Sequence, residues 1–497
     1  MFGIFGKKEP EKAPKMGKNP HLGLKSENRS GFFSNDAPRF FEGWESHSSE
    51  IDWFLRQELE SLMSRSRQAI RKTPYAKRYD SLMRSNIVGS RGVSVQARTM
   101  FNAGGSPRLD ERANTAIELA FKDWGQGDCD YIGKCNFIDI QKKAISSSVQ
   151  DGCFLYRKHF GFGKYGFQLE ELDPYTLNII KNEKLNNGGE IRLGIEFNAK
   201  GKVVRYWFKE SSYNGLNQET REYSVPAKYI IHGFVPEFVG QSRGIPWMHA
   251  GLEKAKHLEK YQEAAIVKAR STAATMAFIK SSPGEEYRGE EGGYEDGTTV
   301  DQFDAGTIKD IGDRDIVNAD FSYPHQMYEA FVKRHLHDIA AAWGVSYQSL
   351  TTDLEGTSFS SGRTGVLEER EHYKDLQEWF IHSFVKPVYE DWLTMAYMKG
   401  EIKIGKVPLS RPVDQYLTAH YQGRRWSWVD PSKDLQASQL SIQENLKSRS
   451  QIMREQGDDP DSTWREIARE KELMKELGIQ PIMTGNNEAK DDEEKED

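Results

Sequence analysis

The 497-residue chain is long enough for about two to four domains, and its 11 Trp and 11% aromatic content exclude a disordered polypeptide. No apolar run reaches the ~20 residues that a membrane-spanning helix needs, and MFGIFGKKEPEKAPKMGKNP puts its apolar start ahead of its lysines, the reverse of a secretory signal; a soluble, unsecreted protein with no membrane partner is expected. The net charge of −7 is unevenly spread, basic over residues 7–29 and acidic over 285–320 and in the terminal EAKDDEEKED, which predicts separate electrostatic surfaces.

Residues 1–45 lack periodicity and read as a disordered basic arm. From Ser49 to Ser85 the spacing of Trp53, Leu55, Leu59 and Leu62 predicts helix, with Ser49 as cap and Thr73-Pro74 dividing it in two. The cations of this stretch, Arg65, Arg67, Arg71 and Lys72, fit a solvated face or a nucleic-acid contact. Val93, Val95 and Ala97 alternate with polar residues as in a strand. LDERANTAIELAFKDWGQ and NFIDIQKKAISSSVQDG then read as amphipathic helices, the second burying Phe137, Ile138, Ile145 and Val149.

CFLYRKHF and YGFQLEELDP alternate as the two strands of a hairpin. Gly161 to Gly166 between them satisfies GxGxxG, but no helix follows to receive a pyrophosphate, so the glycines are assigned to positive φ in a turn. IRLGIEF and KVVRYWF form a second expected hairpin around Asn198–Gly201, and Ile230-Ile231 mark another strand. Together these elements predict an α+β region over about 90–240.

A long helix is expected from Met248 to Lys280, begun by Pro246, where a missing N–H is harmless. A Gly-rich acidic insert follows, then a helix from Pro324 to Trp343 that stops at Gly344. A small-residue segment leads into a further long helical pattern, with Leu367, Tyr373, Leu376, Phe380, Phe384, Val388, Trp392 and Met395 along one face. Pro387 cannot bond the Ser383 carbonyl, so this helix should kink near 383–387. After Asp430-Pro431, with Ser432 as cap, a helical hairpin broken at Gly457–Pro460 is expected, and the tail from Asn486 is read as disordered.

No catalytic or metal constellation stands out. Cys129, Cys135 and Cys153 have neither paired spacing nor an even count, which argues for reduced thiols rather than a disulfide or zinc site. His335 and His337 lack the i, i+4 spacing of zinc helices and read as packing or solvated residues. There is no GxSxG and no GxxxxGK[ST]. A non-enzyme without cofactor or metal is expected; the competing enzyme reading is a metal-dependent nuclease using Asp313 and Asp315.

From about Leu109 to Gly457 the chain resembles the lambda-type family of tailed-phage portal proteins. The resemblance rests on the helix Asn114–Trp124, the Glu170-Glu171-Leu172-Asp173-Pro174 turn, Gly194-Ile195-Glu196-Phe197 with its YWF strand, and the RGIPW core within Gln241–Trp247. Phe359-Ser360-Ser361-Gly362-Arg363, Leu367-Glu368-Glu369-Arg370 and Trp428-Val429-Asp430-Pro431 complete it, with Gly362 where the family usually has Ala. The order of these segments along the chain makes the match specific.

The resemblance implies a portal-like α+β fold: a mixed α/β wing over 46–247, stem helices at 248–280 and 324–344, and a small clip at 281–323. A tunnel loop falls at 345–362, a kinked wing helix and its connection at 363–427, and a helical crown at 428–480, ahead of an acidic tail at 481–497. It implies a homo-oligomeric ring, usually of about twelve subunits, assembled in the host cytoplasm and placed at one capsid vertex of the virion. Duplex DNA is packaged and ejected through such a ring, whose partners are the terminase packaging motor, a head-to-tail adaptor, and capsid and scaffold proteins.

A conduit indifferent to sequence needs weak, distributed phosphate contacts. On this reading Ser346, Thr351, Thr352, Thr357, Ser358, Ser360 and Ser361 offer small hydroxyls to the duplex, while Asp353 and Glu355 keep contact from becoming sticky. Arg363, Lys254, Lys268, Arg270, Lys333 and Arg334 supply mild attraction. Glu285, Glu286, Glu290, Glu291, Glu295 and Asp296 would dock basic partner surfaces. A structural adaptor that does not enclose DNA is the remaining alternative; it predicts that deletion of 346–361 leaves packaging unchanged.

Overall fold

Two helices open the structure and meet at the Thr73-Pro74 break. α1 (Ile51–Lys72) buries Leu55, Leu59, Leu62, Met63 and Ile70, and α2 (Pro74–Met83) begins on Pro74, whose missing N–H would have had no partner there. The computed structural model describes residues 50–103, 106–210, 221–274, 278–280, 315–317, 327–355, 359–426, 431–458 and 460–478. The expected cap Ser49 lies outside them, and Glu50 occupies the cap position without a side-chain bond. α2 runs on into a π turn over Arg84–Val88.

β1 (Ser94–Ala97) is followed by the hairpin β2 (Met100–Ala103) and β3 (Ser106–Leu109). α3 (Glu111–Asp123) is capped by Asp110, which accepts from the Ala113 N–H at 3.1 Å, and α4 (Phe137–Asp151) by Asn136. The inner face of α4 carries Phe137, Ile140, Ile145 and Val149, with Ile138 only partly buried.

β4 (Cys153–Phe160) and β5 (Phe167–Leu172) form the expected hairpin. Gly161, Gly163 and Gly166 have φ of 90°, 70° and 80°, as a turn rather than a nucleotide loop requires, and a Cβ on Gly163 would lie 2.4 Å from the Asp128 carboxylate. The next sheet has the order β10-β9-β8-β7-β6, built from β6 (Glu183–Lys184), β7 (Glu190–Arg192), β8 (Ile195–Phe197), β9 (Val203–Glu210) and β10 (Arg221–Pro226). Here one expectation fails. IRLGIEF is not one strand but two, folded back where Leu193 and Gly194 take φ of 50° and 81°. β11 (Ile230–Phe234) returns to pair with the other edge of β4.

The segment before the next helix ties the first half together. Arg243, 1% exposed, donates to the carbonyls of Pro174 at 2.8 Å and Leu177 at 3.4 Å. A Cβ on Gly244 would stand 1.9 Å from the Gly152 carbonyl oxygen, so only glycine fits. Ser242 donates its N–H to buried Asp52 at 2.9 Å. Arg67 bridges Asp151, at 2.6 and 2.8 Å, to Asp173. That pair is asymmetric: burial raises the Asp151 pKa despite Arg67, whereas the Arg67 pKa, which burial alone would lower, is raised by its bonds to Asp151 and Asp173.

α5 (His249–Ala274) stops short of the expected Lys280. Phe278–Lys280 instead form β12, antiparallel to β13 (Asp315–Val317). α6 (Tyr328–Ala342) ends at Gly344, with φ of 67°, and a short α7 (Tyr347–Thr351) follows. α8 (Phe359–Phe380), a π turn over Ile381–Val385 and α9 (Lys386–Lys399) make the interrupted helix, the irregular turn falling just before Pro387. Phe380, Ile381, Phe384, Val385, Val388, Tyr389, Trp392 and Leu393 are all buried, wider than the single expected stripe, while Leu367 is 45% exposed and so lies off the core.

The chain closes with the hairpin β14 (Lys403–Ile404) and β15 (Val407–Pro408), then β16 (Ala419–Gln422), which pairs with β1 at the opposite end of the sequence. α10 (Pro431–Gln443), α11 (Arg449–Gln456) and α12 (Pro460–Glu476) replace the expected two-helix hairpin with three helices. Ser432 sits inside the first of them rather than capping it, and Ser448 caps the second. The main core is an aromatic seam in which Phe384 meets Phe154 at 5.3 Å and Tyr156 at 5.0 Å, and Phe121 meets Trp392 at 4.8 Å.

Candidate nucleic-acid interface

α5 and α6 pack antiparallel. Lys254, early in α5, meets Asp338, late in α6, at 2.9 Å, and Tyr261, further along α5, stacks on Tyr328 at 5.7 Å. Leu252, Ala255 and Leu258 of α5 and Leu336, Ile339 and Ala340 of α6 are buried in the main core. Close approach at one end depends on Gly251, where a Cβ would lie 2.4 Å from the Trp343 indole nitrogen, which donates to the Met248 carbonyl at 3.1 Å.

Several cations assigned to DNA are held in pairs. Lys254 and Arg334 share Asp338, at 2.9 and 3.6 Å, and Lys254 above all keeps that carboxyl below the usual range. Lys333 reaches Glu329 at 2.8 Å and Glu355 at 3.2 Å, which raise its pKa. Lys268 and Arg270 lie exposed on the later half of α5. His335 packs on Phe331 at 4.3 Å and His337 on Tyr347 at 4.2 Å.

Hydroxyls of the next segment bond within the chain. Ser346 caps α7 by accepting from the Ser349 N–H at 3.1 Å, and its own hydroxyl lies 2.9 Å from Glu369 Oε2. Ser349 donates to the same oxygen at 2.8 Å and Tyr373 to Oε1 at 2.6 Å, so Glu369, 9% exposed, is a carboxylate satisfied by three hydroxyls. Thr351 donates to the Tyr347 carbonyl at 2.8 Å, and Thr352, in the left-handed region at φ 62°, to the Thr351 carbonyl at 2.6 Å. Ser360 and Ser361 belong to the first turn of α8 and not to a loop. Thr357 and Ser358 lie outside the described residues, as do Asp313 and the acidic set Glu285, Glu286, Glu290, Glu291, Glu295 and Asp296.

Arg363 joins α8 to α10 through Asp434 at 3.2 Å. Two helical turns further along α8 is Arg370, which the sequence offered within the family resemblance but not as a DNA contact. Arg370 lies over the Trp426 ring, 5.7 Å from its centroid, with Arg424 6.0 Å from the same centroid. The i, i+7 spacing of Arg363 and Arg370 was the available signal.

The profile of the family described as phage portal protein, lambda family, matches residues 37–377. This chain belongs to that family. It is 31% identical over 447 residues to the probable portal protein of Halomonas phage phiHAP-1, covering 87% of this chain and 84% of that protein. It is 21% identical over 478 residues to portal protein B of Escherichia phage lambda, covering 88% of each. Among solved structures it is similar to a chain in the neck of a native GTA particle computed with C12 symmetry, at 12% identity and a TM-score of 0.42, over 81% of this chain and 94% of that one.

The portal match thus begins well before Leu109, taking in α1, α2 and the basic residues they carry. In this portal protein two of the segments behind the sequence resemblance prove architectural: the Asp173-Pro174 turn and RGIPW meet through Arg243 and the Pro174 carbonyl. Among the described residues no group of three or more His, Cys, Asp or Glu side chains gathers as a metal site, and no helix is long and apolar enough to cross a membrane. Cys129, Cys135 and Cys153 are free thiols, and burial pushes Cys153 up to about 11.

Proposed function

We propose that copies of this portal protein close into a ring at one capsid vertex of a virion and that duplex DNA passes through the ring during packaging and ejection. The observation that carries the reading is family membership together with the α5–α6 pair, which delivers the chain to the hydroxyl-bearing segment 346–355. On this reading α5 and α6 are the stem, residues 281–323 the clip, 345–362 the loop nearest DNA, and α10–α12 the crown. The wing is the α+β region before α5 together with α8, α9 and their connection. The clip carboxylates dock the packaging motor and later the head-to-tail adaptor.

DNA attraction is weak by construction. Lys254, Lys333 and Arg334 are already neutralised by neighbouring carboxylates, which weakens their pull on phosphate and lets the duplex slide. Negative-stain electron microscopy of purified protein tests the proposal: rings with a central hole are expected, and a compact monomer at high protein concentration overturns it.

A further inference from the structure

Between α8 and the pair α10–α11 lies an open pocket of about 300 Å³, lined by Arg363, Leu367, Arg370, Asp434, Lys447 and Glu455. Its charges are unequally matched. Arg363 holds Asp434 at 3.2 Å, and Lys447 holds both Glu455 oxygens at 2.9 Å. Arg370 has no carboxylate or carbonyl within hydrogen-bond reach among the described residues; its contact is the Trp426 ring at 5.7 Å. Partial burial, and then the nearby Arg424, lower its pKa from the ordinary arginine value.

The arrangement is ordered rather than incidental. The Trp426 indole donates to Asn86 Oδ1 at 3.0 Å, the same oxygen accepts from Arg424 at 3.0 Å, and Tyr373 stacks on Trp426 at 6.2 Å. Arg370 is therefore a guanidinium held in place, desolvated on one side, and repelled by a second guanidinium. An incoming dianion or monoanion relieves both penalties.

We infer that the Arg370 end of this pocket is a phosphate site that seats a backbone phosphate of duplex DNA. The inference deepens the channel reading and rests on it. Phosphate suits the site because a guanidinium fork pairs with two oxygens at once, and because the pocket's own carboxylates already occupy Arg363 and Lys447. The open mouth admits a group borne on a stiff polymer, and no base edge is needed, as a sequence-indifferent conduit requires. The competing occupant is the chain's own acidic end, residues 488–497.

The test uses full-length protein and a short fluorescent duplex, with anisotropy followed across a salt series. Arg370→Gln should weaken binding about tenfold near 0.1 M salt and flatten the dependence of log K on log salt by about 0.9. Lys200→Gln, a control in the distant Asn198–Gly201 turn, should change neither. Arg370→Lys should fall between wild type and Arg370→Gln, and serves as the readout if the glutamine variant loses its circular dichroism signature. Wild-type affinity and slope in Arg370→Gln overturn the phosphate site; the same result with lost binding of a labelled EAKDDEEKED peptide assigns the pocket to the tail. Wild-type protein that forms no ring and binds no duplex removes the channel reading as well, whereas intact rings that bind duplex equally with or without Arg370 remove this inference alone.

Discussion

Ser346 and Glu369, 23 residues apart in sequence, meet at 2.9 Å and fix the turn after α6 to the side of α8. With Ser349 and Tyr373 on the same carboxylate, one buried side chain sets where the segment leading to residue 355 begins. Hydrogen bonds to a charged acceptor contribute more than neutral ones, and unmaking them in a buried place leaves donors without water. Glu369→Gln keeps the volume and forces an amide N–H against a hydroxyl donor. It should destabilise the protein by about 2 kcal/mol and accelerate proteolysis within 346–355. An unchanged melting temperature and digestion rate would show that Glu369 does not hold the segment.

Arg67 faces Asp151, whose side chain is 5% exposed, and half-exposed Asp173. Arg67→Met strands the buried carboxylate and should destabilise by about 2–4 kcal/mol, toward the lower part of the usual range because Arg67 itself is partly solvated. Adding Asp151→Asn removes the stranded charge and should restore most of the loss. Urea unfolding of the four proteins of this cycle measures it, and additive losses in the double variant would contradict a direct coupling.

His232 has its Nε2 buried without a hydrogen-bond partner among the described residues, and burial, then Arg243, lower its pKa from 6.5 to about 3. The unfolded chain therefore binds this proton first as pH falls. Stability is full above about 6.5 and declines between there and about 3, by up to ~1.4 kcal/mol per pH unit. His232→Phe keeps a ring beside Tyr206 and Phe234 and removes the titration. Between pH 6.5 and 5 its melting temperature should fall less steeply than that of wild type; parallel curves would place the acid sensitivity elsewhere.

Pro387 follows a π turn in which the Lys386 N–H reaches back to the Ile381 carbonyl. A wider turn ahead of an interior proline is one way a helix accommodates its missing N–H and its ring. Pro387→Ala restores a donor and permits regular α-helix, so the melting temperature should hold or rise while the paths of α8 and α9 realign. We expect impaired ring assembly and packaging, read by electron microscopy and by DNA retention. Rings and packaging identical to wild type would separate the proline from any architectural role.

Local features were legible from residue order alone. The division of α1 from α2 at Pro74, the β4–β5 hairpin with its turn glycines, α6 ending at Gly344 and the interruption before Pro387 each follow from chemistry within a few residues. Helical periodicity and turn preference act over that range. The family, too, was readable, because a set of short segments in fixed order survives without any knowledge of contacts.

What the tertiary structure alone decided is partnership across the chain. Nothing near Arg243 announces the Pro174 carbonyl, nothing near Ser94 announces Gln422, and the reversal at Leu193-Gly194 appears only once Ile195 has β9 to pair with. Ser346 and Thr351 read equally well as a sliding surface or as caps for their own backbone. The sequence names the hydroxyl; which acceptor lies within 3 Å depends on how distant segments pack, and that packing turns Ser346 toward Glu369.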